Sequence, residues 1–242
     1  MKKSSILFAA LLVSATILGG TAAHAATTYG SNGEITFIQD TDPTEPGNPE
    51  EPGKPVEPVD PTDPEGEPGE GTAGPLSIDY ASSFQFGNQK ISTKTETYNA
   101  QLQKYNGDTP DGPNYVQVTD KTGEYTGWKL TVAQGSQFKQ GEKELKGAKL
   151  SLKNITANSI NLGNNEDAVA GADIELVPGV TTGAPVGTAE AGKGKGTWTM
   201  RFGADAEEAK TSVQLEVPGT ANPEKGKYET ELTWTLTQGP DA

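Results

Sequence analysis

The sequence predicts an all-β protein, an antiparallel β-sandwich of immunoglobulin-like or related type, preceded by a disordered Pro/acidic tract. Two observations lead to this fold class. Apolar and polar residues alternate in many short runs, and turns rich in Gly, Pro, Asn and Asp separate these runs. The chain contains no Cys, so a hydrophobic core and not a disulfide framework must hold the domain together.

The N-terminus has the pattern of a secretory signal. Two lysines precede an apolar run over residues 6–18, and small residues ending at Ala25 follow. We predict a signal peptide over residues 1–25 and an exported protein. The run is shorter than the roughly 20 residues of a membrane span, so no span is expected. His24, the only His, leaves with the signal, which excludes His-dependent catalytic sites and His zinc ligands in the exported chain.

The next segment, residues 26–39, contains one short alternating run. Ile35 and Phe37 share one face of this run, and Thr36 lies on the other. A single strand is not stable in water, so it needs a sheet to join. We predict that it joins the sandwich of its own chain, and pairing with a neighbouring molecule is the alternative.

Residues 40–74 are rich in Pro, Asp and Glu and almost free of large apolar side chains. Between Asp40 and Glu70 there are eleven acidic residues and one Lys. Such a composition buries too little apolar surface to offset the entropy of ordering, which predicts a disordered, extended tract. The formal net charge of the whole chain is -14, which argues against binding to nucleic acid because that needs clustered Lys and Arg.

Residues 75–242 form the predicted sandwich domain. Each group of alternating apolar residues marks one face of one strand, and the residues between them are mostly polar. Two weak helical patterns, at residues 95–105 and 204–210, predict a turn or two of helix each. The predicted strand faces are Leu76, Ile78 and Tyr80; Phe84 and Phe86; Val116 and Val118; Trp128, Leu130 and Val132; Leu150 and Leu152; Ile174 and Leu176; Trp198, Met200 and Phe202; Val213, Leu215 and Val217; and Tyr228, Thr230, Leu232, Trp234 and Leu236.

Two of these strands carry the same triplet, a Trp and a Leu with one spacer between them. They are Trp128 with Leu130 and Trp234 with Leu236. Because side chains alternate along a strand, the Trp and the Leu of each triplet point to one face. We interpret both indoles as mainly core, since each lies in a uniformly apolar row. The alternative, an aromatic platform for sugar rings, would place the Trp on a polar face or a loop tip.

The triplets and their surroundings resemble the WxL domain of Gram-positive surface proteins. The lead-in NGEITFIQD, the Pro/acidic tract and the restart GPLSIDYASSFQFG are similar to this family too. The residues that match its motifs are Trp128, Leu130, Tyr228, Leu232, Thr233, Trp234, Leu236 and Pro240. The resemblance implies a secreted protein retained at the bacterial cell wall. It implies binding to peptidoglycan and to co-encoded, membrane- or wall-anchored WxL-interacting surface proteins. The sequence has no LPxTG-type sorting signal, so we expect this retention to be non-covalent.

Two polar loops are weaker candidates. The segment GKGKGT carries Lys193 and Lys195 but lacks the spacing of a phosphate loop, and we interpret it as a basic hairpin tip and a secondary contact for an anionic polymer. Asn164 to Asp167 offer oxygen atoms without the spacing of a calcium loop, and we interpret them as a polar turn. We predict no catalytic residue, no metal site and no cofactor.

The predicted function is therefore a non-enzymatic attachment module. One alternative is a structural or assembly subunit in which the segment over residues 26–39 is exchanged between molecules. A glycan-degrading hydrolase is a further alternative, because two carboxylates are enough for that chemistry. No acidic pair in an aromatic setting stands out in the sequence.

Overall fold

The structure, a computed structural model, describes residues 27–63, 65–160 and 168–239. The predicted signal peptide lies outside these ranges. Residues 27–37 belong to a different unit from the body, which begins at residue 38, and the two are described separately. The described strands are β1 (Pro58–Val59), β2 (Leu76–Ala81), β3 (Glu96–Asn99), β4 (Lys104–Tyr105), β5 (Tyr115–Asp120), β6 (Trp128–Gln134), β7 (Lys139–Gln140), β8 (Lys143–Glu144), β9 (Lys149–Leu152), β10 (Ile155–Asn158), β11 (Val169–Ala170), β12 (Ile174–Leu176), β13 (Ala184–Ala189), β14 (Gly196–Phe202), β15 (Val213–Val217) and β16 (Leu232–Gln238).

Three four-stranded sheets make up the body, and every strand pair in them is antiparallel. Sheet 1 has the order β10-β14-β5-β2, sheet 2 the order β11-β13-β6-β16 and sheet 3 the order β12-β9-β15-β3. Two short pairs, β1 with β4 and β7 with β8, complete the strand pairing. The predicted all-β, antiparallel fold class is confirmed.

One hydrophobic core is shared by the three sheets, and alternation builds it. In β6, Trp128, Leu130 and Val132 are fully buried, while the residues between them are partly exposed. The same core contains Val118 of sheet 1 and Leu152 of sheet 3. Burial of each such side chain contributes about 1.5–3 kcal/mol, which a domain without disulfides requires.

The Pro/acidic tract differs from the prediction, because residues 45–60 are ordered against sheet 1. The side chain of Gln117 accepts a hydrogen bond from Gly47 N at 2.7 Å and donates one to Glu45 O at 2.9 Å. The carbonyl oxygen of Pro49 accepts hydrogen bonds from Asn158 and Arg201. The tract is therefore a strap across the outer face of sheet 1 and not a free linker in this region.

A small second core explains why the strap is ordered. Val56 of the strap is buried with Tyr80, Tyr105 and Tyr115, and Tyr80 packs on Tyr115 with ring centroids 4.9 Å apart. As a result all six residues of β5 are buried, on both faces of the sheet. The sequence does not predict this small core, because a single Val in a charged tract forms no periodic pattern. The three tyrosines that contact it also come from three separate segments of the chain.

Three further expectations are corrected. Phe84 and Phe86 form no strand, and they pack as an irregular segment on Phe202 and Phe138. The helical pattern at residues 95–105 is wrong, because β3 pairs there with β15 and β4 with β1. Tyr228 and Thr230 lie before β16 and not within it. Tertiary pairing outweighs the weak helix propensity of these short segments.

The helical pattern at residues 204–210 is borne out as a single turn. The helix α1 spans Ala206–Ala209, and its N-cap Asp205 accepts hydrogen bonds from the backbone N–H groups of Glu207 and Glu208. A short 3-10 helix over Gly219–Ala221 follows β15. Neither helix is long enough to cross a membrane, and the described residues contain no other helix that is.

The segment before the strap also differs from the prediction. Residues 27–39 belong to no strand, and Ile35, Phe37 and Ile38 are 75 %, 85 % and 89 % exposed. The described residues 27–39 thus contain no strand, and the joining of this segment to the sandwich stays a prediction. A single strand of this length leaves its backbone N–H and C=O groups unpaired and buries little apolar surface, so the segment does not form a strand by itself.

Candidate attachment face

The two Trp-x-Leu strands are direct neighbours in sheet 2. In the antiparallel pairing of β6 with β16, Leu130 lies opposite Leu236, and Trp234 lies opposite Val132. Their apolar side chains point inward together. The intervening residues, among them Thr131, Thr233 and Thr235, point to the outer face. Two motifs about a hundred residues apart in the sequence thus form one surface.

Trp128 is a core residue that also fixes a loop. It is fully buried, and its Nε1 donates a hydrogen bond to the carbonyl oxygen of Gly194 at 3.0 Å. Trp198, likewise fully buried, donates its Nε1 hydrogen bond to the carbonyl oxygen of Lys195 at 3.1 Å. Both indoles hold the loop that the sequence analysis interpreted as a basic hairpin tip. A buried indole needs such an acceptor for its N–H.

Trp234 differs from Trp128, because it is only half-buried. It packs on Phe202 with ring centroids 6.3 Å apart, and it lies on the outermost strand of sheet 2. Leu232 and Leu236 on the same face are also half-buried. The interpretation of the indoles as core thus fits Trp128 fully and Trp234 in part. Trp234 is less buried than Trp128 because it lies on an edge strand, where no further strand of sheet 2 covers it.

The lysines of the GKGKGT segment have partners within the protein. Lys193 forms an ion pair with Glu190 at 3.3 Å. Lys195 lies over the ring of Tyr125, with its Nζ 4.8 Å from the ring centroid. The loop joins β13 to β14. The two indoles hold its backbone at the carbonyl oxygens of Gly194 and Lys195.

The remaining motif residues have mixed positions. The hydroxyl of Tyr228 accepts a hydrogen bond from the backbone N–H of Glu224 at 3.0 Å and so closes a turn before β16. Thr233 is exposed on the outer face. Pro240 lies outside the described residues, as do Asn164 to Asp167 of the predicted polar turn.

The outer face of sheet 2 carries a groove of about 300 Å³ beside the β6–β16 pair. Its lining contains no charged residue: Thr131, Ala133, Gln134, Gly135, Gly179, Val180, Thr181, Gly183, Thr233 and Thr235. Gly183 is required, because a Cβ there would lie 2.5 Å from Thr131 Oγ1. The sequence did not predict this groove. Its only signal was the row of threonines that alternates with the Trp-x-Leu residues.

A second groove of about 310 Å³ lies on sheet 3 and has a different character. Lys149 and Lys153 line it together with Asp173, Glu175 and Glu216. Lys149 forms an ion pair with Glu175 at 3.1 Å. This surface is a solvated array of mixed charges, whereas the groove on sheet 2 is neutral.

The buried carboxylate of Asp79 makes structural contacts. Asp79 lies under the strap and accepts hydrogen bonds from Ser77 at 2.6 Å, Thr119 at 2.6 Å and Gln117 at 2.9 Å. Burial raises the pKa of the Asp79 carboxyl, and these hydrogen bonds offset only part of that rise. Among the described residues, no group of three or more His, Cys, Asp or Glu side chains is arranged to hold a metal ion.

Fold and face together define an all-β domain that presents a neutral, hydroxyl-rich sheet surface. A family model described as "WxL domain surface cell wall-binding" matches residues 24–240. The chain therefore belongs to the WxL family, and it is a surface protein associated with the cell wall. The family is one of wall-binding domains and not of catalysts. No curated protein and no solved structure matches the chain.

Proposed function

We propose that this protein is secreted and attaches non-covalently and without catalysis to peptidoglycan, through the groove on the outer face of sheet 2. The observation that carries the proposal is the pairing of the two Trp-x-Leu strands, which puts the motifs' apolar side inward and their threonine side along one neutral groove. The family match supplies the association with the wall.

The charge of the protein favours this groove over other surfaces. The chain carries a formal net charge of -14, so bulk attraction to an anionic wall is not available. A groove without charged lining residues avoids this repulsion at the point of contact. Threonine hydroxyls and main-chain groups near glycines both donate and accept hydrogen bonds, which suits the hydroxyl and amide groups of a glycan.

The packed inner face of sheet 2 supports this role because it holds the groove residues on the outer face in place. Trp128 anchors the loop at Gly194, and the same strand carries Thr131 on its outer side. Groups held by a packed core lose little entropy when a ligand binds. The lysines at positions 193 and 195 belong to the loop that Trp128 holds, and they give the protein a second contact for the anionic groups of the wall.

The test is a pelleting assay with purified peptidoglycan sacculi stripped of proteins and wall polymers. The variant Thr235→Glu places bulk and negative charge in the groove, and we expect it to weaken binding by at least about tenfold, or about 1.4 kcal/mol. Thr97→Glu is the matched control, because Thr97 is an exposed threonine on β3 of sheet 3. It should bind like the unmodified chain.

A second arm uses sacculi that retain their surface proteins. Binding to these alone would assign the attachment to WxL-interacting surface proteins and reject peptidoglycan as the ligand. Equal binding of Thr235→Glu and the unmodified chain would reject the groove. Release of soluble fragments from the sacculi would reject a non-enzymatic role and favour a hydrolase.

A further inference from the structure

Residues 34–39 form an exposed segment that has the alternating pattern of a strand but belongs to no strand of the described structure. Ile35 and Phe37 are 75 % and 85 % exposed, and the small polar Thr36 lies between them. Large apolar side chains at alternate positions are costly in water unless another surface covers them. The segment has the pattern of a strand, so the surface that suits it is the edge of a sheet.

The same chain contains an edge with the complementary pattern. β16 is the outermost strand of sheet 2, and it is the longest of the edge strands of the three four-stranded sheets within the described residues. Its sequence, LTWTLTQ, has none of the charged or proline residues that protect natural edges. Its apolar residues Leu232, Trp234 and Leu236 are half-buried, whereas Trp128 and Leu130 of the next strand are fully buried.

The side of β16 that faces away from β6 is paired with no other strand of the described sheets, and β2 of sheet 1 lies close to β16. Gly135 N donates to Glu231 O, and Gly239 N donates to Gly127 O, so residues 231 and 239 bond toward β6. In an antiparallel pair this direction alternates, which turns the N–H and C=O groups of residues 232, 234 and 236 away from β6. These are the groups that an added strand bonds.

We propose that residues 34–39 of one molecule add as a strand to the β16 edge of a second copy of this chain. Ile35 and Phe37 then extend the inner row of Leu232 and Trp234, and Thr36 continues the threonine row of the outer face. Donor and acceptor are both present in each molecule, so two molecules exchange segments reciprocally or many assemble head to tail. The proposal is independent of wall binding.

The strap gives the donor a fixed starting point. Asp40, directly after the segment, forms an ion pair with Lys121 at 2.9 Å, and Lys121 also donates a hydrogen bond to Asp42 O at 2.6 Å. The chain is thus anchored at the C-terminal end of the donor. An anchored donor has less entropy to lose on association than one at the end of a free linker.

The first experiment is sedimentation of the exported chain over a concentration series. We expect concentration-dependent dimers or longer assemblies. Phe37→Asp should weaken association by at least about tenfold, because an aromatic side chain that the second molecule covers is replaced by a charge. Ile91→Asp is the matched control, since Ile91 is an apolar residue 61 % exposed elsewhere on the body. A monomer at every concentration, or an equal effect of both variants, would overturn the proposal.

The second experiment tests the acceptor edge by disulfide trapping, which is clean because the chain has no Cys. Thr36→Cys molecules are mixed with molecules carrying Thr233→Cys, Thr235→Cys or Thr237→Cys, on the same outer face. We expect an intermolecular disulfide with at least one of them, because paired strands bring side chains within disulfide reach. Thr97→Cys, on the edge strand β3, is the control. Crosslinking to Thr97→Cys alone, or to none, would reject the β16 edge.

Discussion

Leu130 of the first Trp-x-Leu triplet lies directly opposite Leu236 of the second, in the antiparallel pairing of β6 with β16. This pairing fixes the direction of every side chain in both motifs, because a shift of one residue would turn the apolar row to solvent. The inner row belongs to the core, and the threonine row belongs to the surface. Stability and binding are therefore separable by mutation.

The two tryptophans should differ in their contribution to stability. Trp128→Ala should lower the free energy of unfolding by about 3–5 kcal/mol, because it removes a fully buried indole and leaves a cavity. Trp234→Ala should cost about half as much, since that indole is half-buried at the edge. Thr235→Ala, an exposed control on the same strand, should change stability by less than about 0.5 kcal/mol.

Urea denaturation followed by circular dichroism measures these differences. The same variants should be compared in the sacculus assay at a temperature where each is folded. If Trp234→Ala lost wall binding with unchanged stability, Trp234 would be a binding platform and not part of the core.

Gly194 should tolerate no side chain. Its φ is +70°, and a Cβ would lie 2.3 Å from the Ala189 Cβ and 2.5 Å from Trp128 Nε1. We expect Gly194→Ala to cost about 1 kcal/mol for the backbone conformation and about 1–3 kcal/mol more for the overlap. Gly192→Ala is matched to it, because Gly192 has φ +84° but open space around it. If both variants lost the same free energy of unfolding in urea, the loop around Gly194 would be able to rearrange and accommodate the new methyl group.

Docking of the strap should depend on Val56. Val56→Asp buries a charge among three tyrosines, so the strap should detach while the main core stays folded. The readout is amide hydrogen exchange at Gly47 and Val56, whose N–H groups bond to Gln117 and to Pro46 O. We expect exchange to accelerate by at least about tenfold, equal to about 1.4 kcal/mol of lost protection.

Val177→Asp is the control for the strap, since Val177 is 58 % exposed. It should leave the exchange rates at Gly47 and Val56 unchanged. Unchanged rates in Val56→Asp as well would mean that the hydrogen bonds to Gln117, Asn158 and Arg201 hold the strap without the apolar contact.

Asp79 should make the free energy of unfolding fall as the pH rises above the ordinary pKa of Asp. Its pKa is raised in the folded state, so the native chain keeps this proton at a pH where the unfolded chain has lost it. From the ordinary Asp pKa of about 3.9 up to the raised value, the native state binds more protons, and the free energy of unfolding falls as pH increases. The Asp79→Asn variant should lack this part of the slope.

The measurement is a series of urea denaturations from about pH 3 to about pH 8, a range that brackets the ordinary pKa of Asp. Asp108→Asn, which changes an exposed aspartate, should keep the wild-type slope. An Asp79→Asn curve parallel to the wild type would show that the hydrogen bonds from Ser77, Thr119 and Gln117 fully offset the effect of burial.

The sequence by itself determined the fold class and most strand faces, because alternation is a local property of each strand. The family was recognised from the resemblance of the two Trp-x-Leu motifs and their surroundings. Trp128 and Leu130 could be assigned to one face without knowledge of any neighbour. The single helical turn near Ala206 was likewise predictable from its own residues.

Only the tertiary structure decided which strands are neighbours, and therefore that the two triplets share one sheet and one groove. It also decided that Val56 holds the acidic strap on sheet 1, and that Trp234, on an edge strand, is less buried than Trp128. These features depend on contacts between residues far apart in the chain, and the energy of such contacts leaves no periodic pattern in the sequence of either partner.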